Sequence, residues 1–196
     1  YRYDNSATRD YIVSRSAHNV IRITEKKPKK KPKKSNSARV LSAVKPAPPS
    51  AVLRATATPY QQTCLTDRSY TSARIKRCVY YDAGINALVV VDKVKALKRI
   101  RADQRWQVPP GVGVTTDATG AVLTSATASA RLLFTGGGSG RTLRPGGKQK
   151  DGWFTVGYGE LAKGTTVQRG SVIAKGKKRT WISVLAAGSE TPEVSL

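Results

Sequence analysis

Apolar and polar residues alternate with a period of two in two stretches of this chain. In "WFTVGY", Phe154, Val156 and Tyr158 share one face, and in "TWISVL", Trp181, Ser183 and Leu185 oppose Ile182 and Val184. That is the period of a strand with two unlike faces. Shorter apolar runs, "NALVVVD", "GVGVTT", "AVLTS", "ARLLF" and "SVIA", lie between turn signals such as "DAG", "PPG", "DATG", "GGGSG", "KDG", "AKG" and "AAG". Strand-length runs broken by turns every ten or so residues predict a mainly β chain, an antiparallel sandwich or barrel. One body segment reads otherwise: in "KVKALKRIRADQR", Lys93 to Arg105, Val94, Leu97 and Ile100 recur at helical spacing.

The pattern changes towards the start of the chain. "ATRDYIVSRSAHNVIRI", Ala7 to Ile23, predicts a short amphipathic helix with Asn5 or Ser6 as N-cap, although "VIRIT" reads equally well as the start of a strand. "TEKKPKKKPKKS" then sets seven lysines among two prolines. Proline lacks the amide proton and neighbouring ammonium groups repel, so an extended basic segment is expected. A second proline cluster, "KPAPPS", Lys45 to Ser50, extends it. Three regions follow: a helix or arm over 1–23, a Lys/Pro-rich linker over 24–50 and a β-rich body over 51–196. The body, about 140 residues, is long enough to bury a core.

Composition changes the picture through charge. The chain of 196 residues carries a formal net charge of +23, and such a field favours polyanions such as nucleic acid, anionic lipid or acidic polysaccharide. The lysines Lys26, Lys27, Lys29, Lys30, Lys31, Lys33 and Lys34 can neutralise successive phosphates and release counterions. The body adds Arg74, Lys76 and Arg77, then Lys98, Arg99 and Arg101 with Lys93, Lys95 and Arg105, and finally Lys177, Lys178 and Arg179 in an expected hairpin turn before the Trp181 strand. Tyr70, Tyr80, Tyr81 and Trp106 interleave with these charges, as base stacking requires, or else fill the core.

Candidate chemistry is thin. "FTGGGSGRT" fails the phosphate-loop spacing and the nucleophile-elbow pattern, and reads as a flexible turn. His18, the single histidine, lies outside the body, and the aspartates mostly occupy turn positions. The expectation is a non-enzymatic protein needing neither cofactor nor metal. Cys64 and Cys78 are read either as a disulfide, which closes a loop worth about 3 kcal/mol and implies an oxidising compartment, or as two separate thiols. No run approaches the roughly 18 apolar residues of a spanning helix, and a chain starting at Tyr1 without methionine reads as processed. A membrane contact would need a segment that this chain lacks.

Three segments, "VPPGVGV" at Val108, "ARLLFTGGGSGR" at Ala130 and "GKKRTWISVLAAG" at Gly176, follow the order of the globular region of type II secretion pseudopilins and type IV minor pilins of the GspH/FimT kind. The second half of the chain resembles that family. The resemblance implies a pilin-like subunit that assembles into a cell-envelope filament, or a DNA-uptake or secretion apparatus, in the envelope or outside the cell. Gly176, Lys177 and Arg179 partly match the family's DNA-binding Gly-Arg-x-Arg motif, with lysine in place of the first arginine. The hydrophobic N-terminal helix of pilins has no counterpart in Tyr1 to Ile23. The alternatives are a viral capsid protein, with a basic genome-binding arm and a jelly-roll shell in a virion, and a ribonucleoprotein component.

Overall fold

Side chains whose exposure alternates residue by residue set the architecture. In Ala73–Asp82, Ala73 and Ile75 are buried while Arg74 and Lys76 are exposed, and in Ala87–Ala96, Val94 and Ala96 are buried while Lys93 and Lys95 are exposed. The computed structural model describes residues 7–24, 60–82, 85–135, 139–143, 151–157 and 160–188. The lysine run from Lys26 to Lys34, "KPAPPS", the proposed caps Asn5 and Ser6 and the triple glycine at 136–138 lie outside them.

The chain is mainly β and antiparallel, with one short helix, α1 (Ala7–Ile12), followed by a 3-10 turn (Arg15–Ala17). A four-stranded sheet has the order β1 (Ile21–Thr24), β5 (Ile100–Val108), β12 (Thr165–Ile173), β9 (Ser139–Leu143). A seven-stranded sheet runs β2 (Tyr60–Asp67), β3 (Ala73–Asp82), β4 (Ala87–Ala96), β13 (Lys178–Ala187), β8 (Ser129–Thr135), β7 (Gly120–Thr124), β6 (Gly113–Thr116). A separate hairpin joins β10 (Trp153–Gly157) to β11 (Glu160–Lys163).

The two larger sheets pack face to face as a sandwich. One core cluster unites Ile21, Ile23, Ile100 and Ile173 of the smaller sheet with Ile75, Val94 and Trp181 of the larger, and a second unites Trp106, Val108 and Val167 with Val90, Ala121 and Leu132. Polar residues run between these clusters. Arg77 forks onto Asp92 through two bonds of 2.7 Å, Gln104 Nε2 donates to Asp92 at 2.6 Å, and Gln104 Oε1 accepts from Arg169 at 2.7 Å and from Ser183 at 2.9 Å. Asp92, Gln104, Arg169 and Ser183 are all buried.

One element expectation is corrected and one open alternative is decided. Lys93 to Arg105 is no helix but the end of β4, a turn and the start of β5. The three-residue spacing of Val94, Leu97 and Ile100 arises because the turn separates two strands that both face the core. At the N-terminus the helix stops at Ile12, and "IRIT" pairs with β5, Ile21 opposite Gln104 and Thr24 opposite Arg101. The β-branched Ile21 and Ile23 favour the strand and bury one face.

Three turns meet at one end of the sandwich. Gly176, at φ 77° where a side chain would be strained, turns β12 into β13. Its amide donates to Ala96 O, Ala96 N donates to Lys177 O, and the amides of Leu97 and Lys98 reach Ser72 O.

Candidate functional site

The face of the four-stranded sheet that points away from the core is polar. Because Ile100, Ala102, Trp106 and Val108 of β5 enter the core, alternation sends Arg101, Asp103, Arg105 and Gln107 to the opposite side. The register then sets Arg22 opposite Asp103, Asp103 opposite Gly170, Arg105 opposite Gln168 and Gln107 opposite Thr166.

Asp103 pairs with Arg101 at 3.2 Å and with Arg22 at 3.6 Å, while its own side chain is 2% exposed. Gly170 makes this possible, since a Cβ there would collide with the Asp103 carboxylate. Arg105, fully buried, donates to Gln168 Oε1 at 2.7 Å, to Asp151 Oδ1 at 2.8 Å and to Ser16 O at 3.2 Å. Burial pulls its pKa below the usual guanidinium value, against the opposing pull of Asp151. Arg22 Nε, Arg105 Nε and Gln168 Nε2 are shielded from solvent and meet no hydrogen-bond acceptor among the described residues.

The N-terminal segment is fastened across this face. The Tyr11 hydroxyl donates to Trp153 O at 2.7 Å, Gln107 Nε2 donates to Ser16 O, and the Gln107 amide donates to Asn19 Oδ1 at 2.5 Å. Burial, then the charge of Asp151, pushes the Tyr11 phenol up to about 12, so it stays protonated and donates. Arg77 also donates to Asn19 O. These bonds fix the backbone on both sides of His18, whose side chain is exposed. Beside Asn19 and Gln107 opens a cleft of about 400 Å³ walled by Trp106, Leu88, Leu123 and Leu132.

The basic residues picked out from sequence divide between two environments. Arg74, Lys76, Lys98, Arg99, Arg101, Lys177 and Lys178 are exposed, and Arg179 is half-buried. Arg77 instead turns inward to Asp92. Trp106 is a core residue and Tyr70 packs against the core, while Tyr81 is exposed. Cys64 and Cys78, directly opposite in the β2/β3 ladder, are joined in a disulfide. The polar outer face, with Arg22, Asp103, Arg105, Gln107, Asp151 and Gln168, was not read as a unit from sequence. Its one early signal is that "RADQRWQV" alternates charged or amide residues with apolar ones only in part.

Comparison with known proteins places this architecture. Residues 1–194 match the family model described as heparinase II/III-like, C-terminal. No curated protein matches the chain by sequence. Among solved structures, a heparinase III gene product aligns over 97% of this chain and 27% of its own at 16% identity, with a TM-score of 0.70. Another heparinase III aligns over 89% and 24% at 11% identity and a TM-score of 0.63. The heparan sulfate lyase HepC from Pedobacter heparinus aligns over 70% and 22% at 14% identity and a TM-score of 0.59. At such identities the likeness establishes the fold, and the chain spans about a quarter of the length of these structures.

The pilin resemblance is thereby overturned, and with it the filament, DNA-uptake and capsid readings and the expectation of a non-enzymatic protein. The segments behind that resemblance are turns leading into strands: "PPG" between β5 and β6, and the Gly176 turn between β12 and β13. Any antiparallel sandwich needs such turns, so their order carries little family information.

Proposed function

Since this chain belongs to the heparinase II/III-like, C-terminal family, we propose that it is the β domain of a lyase that degrades a glycosaminoglycan of the heparan sulfate class. The observation that carries this reading is the polar outer face of the four-stranded sheet, where half-buried Arg22 and exposed Arg101 flank Asp103, while fully buried Arg105 holds the N-terminal segment in place from below. A polyanionic partner, expected from the charge alone, fits that face; the finer reading is a sulfated and carboxylated polysaccharide in place of nucleic acid. Guanidinium groups meet sulfate and carboxylate through paired, directional hydrogen bonds.

A lyase breaks a glycosidic C–O bond by elimination. A base removes the proton next to the uronate carboxylate, the electron pair forms a C=C bond, and the bridging oxygen leaves and takes up a proton. Cations beside the carboxylate stabilise the charge that develops there. In this chain Arg22 and Arg101 supply that charge at the open edge of the face. The exposed His18, on a pinned backbone, is the imidazole proposed to take up and pass on the proton. An oxidising compartment, in the envelope or outside the cell, suits both the disulfide and a polysaccharide substrate.

The test is incubation of the full-length protein with heparan sulfate, reading the ultraviolet absorbance of unsaturated products. We expect product formation, and His18→Ala to slow it about a hundredfold at unchanged melting temperature. Absence of unsaturated product from heparan sulfate and from other glycosaminoglycans would overturn the reading.

A further inference from the structure

The opposite surface of the molecule, the outer face of the seven-stranded sheet, carries a second feature that the proposed reaction does not use. Strand pairing sets Arg74 opposite Lys95 and Lys95 opposite Lys178, a row across β3, β4 and β13. One step along, Lys76 stands opposite Lys93. All five side chains are exposed and share one face, because Ala73, Ile75, Val94 and Ala96 between them enter the core. Neighbours stand roughly 4.8 Å apart across the strands and roughly 6.7 Å apart along them.

Three like-charged pairs directly opposite one another oppose sheet formation. The remaining ladder partners bring no relief: Lys76 faces Thr66, and Lys93 faces Thr180. Among the described residues Arg74 donates only to the carbonyls of Tyr70 and Ala73, and no carboxylate there pairs with its charge. Asp92, the acidic residue nearest in β4, faces inward and is taken by Arg77. A local conflict of this kind, kept on regular and otherwise well-paired strands, points to a ligand that resolves it.

We propose that Arg74, Lys76, Lys93, Lys95 and Lys178 form a second binding platform for a sulfated polysaccharide chain, on the far side of the sandwich from the candidate site. The choice of polysaccharide rests on the proposed function above. It is favoured independently over single-stranded nucleic acid, because the two rows contain no aromatic ring on which bases could stack. The platform holds a long substrate by charge while the reaction proceeds elsewhere, so it raises affinity for long chains and leaves short ones unaffected.

The experiment uses the full-length protein and the variant Lys76→Ser/Lys93→Ser/Lys95→Ser. Binding to long heparan sulfate is measured against salt, alongside cleavage of a heparan sulfate tetrasaccharide. We expect the slope of log affinity against log salt to fall by about three, roughly one per cation removed, with tetrasaccharide turnover and circular dichroism unchanged. An unchanged slope in the folded variant would overturn the platform even if cleavage is intact. Intact heparan sulfate binding without any cleavage would instead count against the proposed reaction and leave the platform supported. Equal loss of slope with single-stranded DNA, at an affinity matching that for heparan sulfate, would overturn the polysaccharide assignment in favour of nucleic acid.

Discussion

Gln104 uses both ends of its amide inside the core, donating to Asp92 and accepting from Arg169 and Ser183. Removing it takes one buried bond from each of two charged groups that keep other partners, Asp92 its fork with Arg77 and Arg169 the carbonyls of Thr135 and Ile182, which is costlier than losing one neutral bond. Gln104→Leu is expected to lower unfolding stability by about 2 kcal/mol in urea titration; a loss below about 1 kcal/mol would mean that water replaces the amide. Arg169 itself is drawn down to about 10 by burial, against the pull of Asp92, so it remains charged at neutral pH. Tyr11 gives a pH signature. Its folded pKa is raised from 10.0 to about 12. Its contribution is therefore complete below about pH 10 and is lost as pH rises towards 12, on the order of 2 kcal/mol. An ultraviolet phenolate titration should show one tyrosine ionising late, and Tyr11→Phe should remove it.

At the scale of elements, β2 is an edge strand that among the described residues pairs only with β3, and the Cys64–Cys78 bond ties the two together. Reduction should cost about 3 kcal/mol in the chain-entropy model, and amide exchange should quicken first along β2. Strands with apolar inward faces were legible from the sequence in part: β13 is a strand where "TWISVL" placed it and the Gly176 turn lies where "AKGK" placed it, whereas β10 is a strand as expected but exposes Val156 and shows no alternation of burial. The first half of β4 was found in "NALVVVD", but its end and β5 were not, because Asp92 and Gln104 occupy inward positions that a hydrophobic pattern assigns to apolar residues, as Arg169 does in β12. The candidate site was hidden for a related reason. Arg77 and Arg105 look in sequence like their neighbours Lys76 and Arg101, yet each is neutralised by a partner 15 or 46 residues away. Only register brings such partners together.

For the whole molecule, the sandwich has a seam that does not follow the order of the chain. β1 closes the edge of the four-stranded sheet, whereas the next strand, β2, closes the edge of the other. Thr24 and Tyr60 thus end and begin elements on different sheets, and residues 7–24 are held by contacts with residues far along the chain: four β1–β5 register pairs, Tyr11 on Trp153 and Asn19 on Gln107. The N-terminal piece behaves as a ligand of the remainder that happens to be covalently attached. If the two pieces, 1–24 and 60–196, were produced separately, they should reassociate into one particle, and the short one should be retained by the long one on a sizing column. A peptide carrying Ile21→Asp and Ile23→Asp should fail to bind, since both side chains would have to enter the core. The molecule can be treated as a split protein, with His18 delivered to the candidate site by the smaller half.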